Sequence, residues 1–71
     1  MKKIEHKGYL FKIEFVGDAI TPIYEFRMYK KKNFFFKEYL WKEIIHRNEI
    51  VSYKQSCDTV INEYMKEMDR L

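Results

Sequence analysis

The sequence predicts a small α+β domain: an antiparallel β-meander of about three strands packed against a C-terminal amphipathic helix. Three observations carry that reading. The segments "GYLFKIEFVGD" and "IYEFRMYK" alternate side-chain character with the period of a half-buried strand. From Cys57 onward, apolar residues recur at spacings of three and four, the stripe of an amphipathic helix. Between the two alternating segments, Gly17, Asp18 and Pro22 punctuate a loop longer than a tight hairpin turn.

In the first strand Tyr9, Phe11, Ile13 and Phe15 fall on one side, and Leu10, Lys12, Glu14 and Val16 on the other. The second sets Tyr24, Phe26 and Met28 against Glu25, Arg27 and Tyr29, and its natural partner is the first, in antiparallel sense. The helix is expected over residues 53 to 69, with Cys57, Val60, Ile61, Tyr64, Met65 and Met68 on its apolar stripe. Ser52 and Gln55 fit an S-x-x-Q capping box, which satisfies orphan amides at the start of a helix.

The middle of the chain, "YKKKNFFFKEYLWK" at residues 29 to 42, admits two structures. As a strand it sends Phe34, Phe36 and Leu40 inward and Phe35, Lys37, Tyr39 and Trp41 outward, with "KKKN" as a hairpin turn and Asn33 its residue most tolerant of positive φ. As a helix capped by Asn33 it gathers Phe34, Phe36, Leu40, Trp41, Ile44 and Ile45 on one side, giving a β-hairpin plus two helices. Three arguments select the strand. A two-stranded sheet is marginal by itself, adjacent phenylalanines favour extended backbone, and Lys37 would interrupt the apolar face of the helix.

A chain of 71 residues holds one domain, residues 1–71, whose core is expected to yield only about 3–5 kcal/mol. The single cysteine rules out an intrachain disulfide. Yet the sequence carries 31 large apolar side chains, against roughly 18 inward positions on one small sheet and one helix. The surplus points to a second covered face, a homo-oligomer or a partner-binding patch.

Charge is concentrated too. From Arg27 to Lys37 there are five bases and no acid, so the net charge of +3 comes from one turn. Such a concentration attracts acidic protein surfaces or phosphate backbones. The candidate binding surface is therefore Arg27, Lys30, Lys31, Lys32, Phe35, Lys37, Tyr39 and Trp41.

Chemistry is not expected. His6, His46 and Cys57 lack flanking catalytic signatures or metal-ligand spacing, and Gly8 and Gly17 cannot form a phosphate-cradling loop. No cofactor and no metal are assigned. The N-terminal stretch does not read as a signal peptide and no segment reads as a membrane span, so a cytoplasmic location is expected. Scarce Gly, Ala and Pro beside abundant Lys and Ile suit a low-GC bacterium or its phages.

The function expected on these grounds is a small non-enzymatic module acting by contact on a protein partner, an inhibitor or adaptor of phage or mobile-element type. A basic and aromatic nucleic-acid-binding module is the alternative, and a self-assembling structural protein the third reading. The layout itself carries no function.

Overall fold

The computed structural model describes residues 1–32, 37–46 and 52–70. Four strands, β1 (Lys2–His6), β2 (Tyr9–Phe15), β3 (Ile23–Lys31) and β4 (Lys37–His46), precede one helix, α1 (Tyr53–Asp69). The strands form a single antiparallel sheet in chain order, β1-β2-β3-β4, and α1 packs on one face of it.

The α+β class, the meander and the closing helix are as the sequence indicates, but there is one more strand. β1 escapes a periodicity search because "KKIEH" carries a single large apolar residue, Ile4. It is held by pairing with β2 and closed by a two-residue turn at Lys7 and Gly8, with φ of 52° and 84°. Positive φ at both central residues matches a primed hairpin turn, whose twist suits the strands it joins. The glycine adopts that region freely, whereas Lys7 carries its cost.

The core lies between sheet and helix. Phe11, Ile13, Phe26, Met28 and Ile45 project from the strands onto Cys57 and Val60 of α1. Alternation explains the strand side: one cross-strand row is Ile4, Phe11, Met28 and Trp41, and the next places Ile13 beside Phe26. Burial in this layer is the main favourable term, about 1.5–3 kcal/mol for each fully buried large side chain relative to its exposed state.

Residues 37–46 form a strand, so the two-helix alternative is excluded over that range. Phe34 to Phe36 and the Asn33 turn position fall outside the described residues, as do 47 to 51. One expectation for this strand needs correction. Trp41 does not point outward; its ring meets Tyr64 of α1 edge-on, centroids 6.2 Å apart, and its Nε1 donates to Glu43 at 3.0 Å. The reason is a β-bulge. Met28 pairs with Trp41 and Tyr29 with Tyr39, leaving Leu40 as an extra residue on β4. That insertion breaks strict alternation, so Leu40 and Trp41 both pack against the core while Tyr39 keeps the opposite face.

The helix begins where the capping signal places it. Ser52 is extended at φ −148° and its Oγ accepts the Gln55 amide at 3.1 Å. Ser52→Ala is expected to lower stability by about 0.5–2 kcal/mol, the usual cost of a lost N-cap. Coincident urea midpoints for variant and wild type would show that the cap contributes nothing. Along the apolar stripe Cys57 is fully buried, and burial, reinforced by the neighbouring Asp58 charge, pushes its thiol pKa up to about 11. At neutral pH it is a packed thiol, without the thiolate that nucleophilic chemistry needs.

Among the described residues, β1 and β4 are the unpaired edges of the sheet. Lysines mark both, Lys2 and Lys3 on β1 and Lys37 and Lys42 on β4, and the bulge adds a local irregularity to β4. Charged side chains and bulges are the usual guards against edge-to-edge pairing, and they count against the self-assembly reading.

Candidate functional site

α1 covers one face of the sheet, and among the described residues no element covers the other. Register and alternation determine what this open face displays. At the end of the sheet that carries the β1–β2 turn, Lys31 pairs with Lys37. The next row runs Glu5, Leu10, Tyr29, Tyr39. Then comes Lys3, Lys12, Arg27, Lys42, one cation from each strand. Beyond it lie Glu14, Glu25 and Ile44, and finally Ile23 beside His46.

The aromatic row is built around a pair. Tyr29 and Tyr39 meet edge-on with centroids 5.5 Å apart, and Tyr39 remains 52% exposed. Lys12 Nζ lies 4.9 Å from the centroid of the Tyr29 ring, a cation–π contact. Leu10 in the same row is only 5% exposed although it faces away from the helix. It contributes to the wall of a cavity of about 250 Å³, with Glu5, Lys31, Lys37 and the β1–β2 turn.

One of the four cations in the row has a carboxylate partner. Arg27 Nε donates to Glu25, which raises the guanidinium pKa, chiefly through that hydrogen bond. Among the described residues Lys3, Lys12 and Lys42 pair with no carboxylate. Like charges placed directly opposite one another on a sheet oppose its pairing, so this row is a cost to folding.

At the far end of the sheet the display is aliphatic. Ile44 is 45% exposed on the open face, and the β2–β3 loop at that end adds Val16 at 48% and Ile20 at 92%. This loop is internally braced. Asp18 Oδ1 accepts the amides of Ile20 at 3.0 Å and Thr21 at 2.7 Å, Asp18 N–H donates to Thr21 O at 3.1 Å, and Val16 N–H donates to Ile23 O at 2.9 Å. Asp18 thus spends its charge inside the loop, and Ile20 is held out in water by a fixed backbone.

Of the residues named from sequence, Arg27, Lys31, Lys37 and Tyr39 come together on the open face. Lys30 pairs with Tyr9 and Glu38 on the helix side of the sheet, though it is exposed, and Trp41 is packed against α1. Lys32 is exposed just beyond β3, and Phe35 lies outside the described residues. Lys3, Lys12, Lys42, Ile20 and Ile44 escape a reading of local charge and pattern. The three lysines are scattered along the chain and only strand register aligns them; a cross-strand register map is the signal that finds them.

Of the groups considered for chemistry, His6 makes a structural contact and His46 is exposed at the end of β4. His6 Nε2 and Lys7 Nζ meet Asp58 Oδ1 at 2.8 and 2.9 Å, tying the β1–β2 turn to α1. These contacts hold the Asp58 carboxyl below its ordinary pKa, the hydrogen bond from Lys7 leading. Among the described residues no three His, Cys, Asp or Glu side chains gather as a metal site, and no helix is long and apolar enough to cross a membrane. Compared with known proteins, the chain matches no family model, no curated protein and no solved structure. Its function has to be argued from its own surface.

Proposed function

We propose that this chain is a small non-enzymatic binding module that acts by contact on a protein partner, as an inhibitor or adaptor, through the open face of its sheet. The observation that carries the reading is Ile20, 92% exposed on a loop braced by four hydrogen bonds. A large aliphatic side chain left in water gains nothing for the free fold, and a rigid backbone beneath it lowers the ordering cost of binding. Ile44 and Val16 extend that apolar end, which is the makeup of a desolvated interface centre. The cations beyond it serve to steer an acidic partner, an effect on association rate more than on affinity.

Capture from a lysate of the source organism, with and without nuclease, tests the reading when paired with variants. Ile20→Asp alters a side chain that projects into solvent, and Ile44→Thr keeps a β-branched side chain opposite Glu25, so melting temperature is expected to stay near that of wild type. Loss of one buried anchor is expected to weaken capture by about 2 kcal/mol or more. Capture that survives both substitutions, or that vanishes with nuclease, overturns the proposal.

A further inference from the structure

We propose that the row Lys3, Lys12, Arg27 and Lys42 is a binding strip for the backbone of a single-stranded nucleic acid lying across the strands, with bases seated on the adjacent Tyr29–Tyr39 row. This is a second activity, on residues distinct from the aliphatic end, and it does not depend on the protein partner.

The first argument is the cost already noted. Four cations in register across four strands oppose pairing, and among the described residues Lys3, Lys12 and Lys42 form no ion pair to relieve it. A polyanion relieves it for the three unpaired lysines at once, beside an Arg27 already bonded to Glu25. The second argument is spacing. Neighbouring strands lie about 4.8 Å apart, so the row spans about 14 Å, and the tyrosine row lies two residues further along each strand, about 7 Å away. A chain crossing the strands can therefore keep its phosphates on the cations while its bases reach the rings.

The third argument is the surroundings. Lys31 and Lys37 bound the tyrosine row on its other side, so the rings lie between two cationic rows. Glu14 and Glu25 border the cation row on the side away from the rings, and Glu5 stands at the β1 end of the tyrosine row, so phosphates are repelled there and the bases fall at its β3–β4 end, on Tyr39. Ring faces flanked by cations suit unpaired bases, which stack; a duplex hides its base faces, and a carboxylate chain has no use for them.

Fluorescence anisotropy with a labelled oligo(dT) of about 12 nucleotides, titrated over a salt series, tests this. Affinity is expected to fall with log salt at a slope near −0.7 per phosphate contact, about −3 for the full row. Combining Lys3→Ser with Lys42→Ser is expected to halve that slope, and the variant is expected to melt no lower than wild type because repulsion is removed. Lys12→Ser, at the centre of the row, serves as an independent variant. Tyr39→Ala is expected to weaken binding about ten-fold without changing the slope. An unchanged slope in the lysine variants overturns the strip, as does absent binding at about 50 mM salt. Duplex DNA binding as tightly as oligo(dT), or poly-L-glutamate competing equally with Tyr39→Ala silent, overturns the nucleic-acid assignment. Protein capture is anchored by the aliphatic end and uses the cations only for steering, so the Ile20 and Ile44 variants read the protein partner while the oligonucleotide salt slope reads the strip.

Discussion

Phe26→Ala is expected to abolish the folded state. Phe26 is fully buried at the centre of the sheet, paired with Ile13 on one side and Glu43 on the other, and it packs in the layer that receives Cys57 and Val60. Truncating a buried phenylalanine costs about 3–5 kcal/mol, the lost transfer energy plus the cavity left behind. A core of this size supplies about the same amount in total. Far-UV circular dichroism of the variant is expected to show no cooperative melt, and its amide proton spectrum no dispersion. Phe15→Ala is the matched control, since Phe15 is half-exposed and makes an edge-on contact with Tyr24 at 5.4 Å. Its loss is expected to cost about 0.5–1.5 kcal/mol for the ring pair plus a fraction of a burial term. A cooperative melt of Phe26→Ala near the wild-type temperature would place the core elsewhere.

Gly17→Ala is the second large effect, and its cause is steric. A Cβ at residue 17 would stand 2.0 Å from Thr21 O and 2.5 Å from Ile23 N. Both are backbone atoms: Thr21 O accepts the Asp18 N–H, and residue 23 is anchored through its carbonyl, which accepts the Val16 N–H. No side chain can swing aside, so the loop has to open. Overpacking of this kind costs about 1–3 kcal/mol where neighbours adjust, and these neighbours can adjust only by giving up hydrogen bonds. Gly8→Ala is expected to cost less: nothing lies within 4 Å of its Cβ position, and the penalty is only that of a left-handed φ of 84°, about 1–2 kcal/mol. Urea midpoints for the two variants give the order directly. If Gly17→Ala unfolds at the wild-type midpoint, the loop is not braced as described. The same substitution is expected to weaken protein capture, because it releases the backbone that holds Ile20 out.

The residues differ in how much of this was legible beforehand. Tyr9 to Phe15 and Ile23 to Lys31 are plain because each alternates over a full strand length, and Tyr53–Asp69 because its stripe and its cap agree. β1 is hidden by its own composition, since Ile4 alone marks a face and the strand is defined by hydrogen bonding to β2. Trp41 misleads for a different reason. Parity along β4 holds only until an extra residue enters, and the bulge at Leu40 is a property of pairing with β3.

The binding face divides the same way. The lysine-rich segment from Arg27 to Lys37 is visible in any window of local charge, and it contains or adjoins Arg27, Lys31, Lys37 and Tyr39, all on the open face. The cation row is invisible there, because Lys3, Lys12, Arg27 and Lys42 stand 9 to 15 residues apart in the chain. Ile20 is equally silent: an isoleucine in a loop reads as surplus until its exposure and the bracing of Asp18 are known.

By itself, the sequence determined what depends on near neighbours: the helix and its Ser52 cap, the alternation of β2 and β3, the loop at Gly17 to Pro22 and the run of bases from Arg27 to Lys37. Those features follow from torsional preference and side-chain period, which act over a few residues. Only the tertiary structure decided the fourth strand, the turning of Trp41 toward α1, the alignment of four cations and the presentation of Ile20. These depend on which backbone amide meets which carbonyl across the sheet, and a shift of one residue in register exchanges the faces of a whole strand.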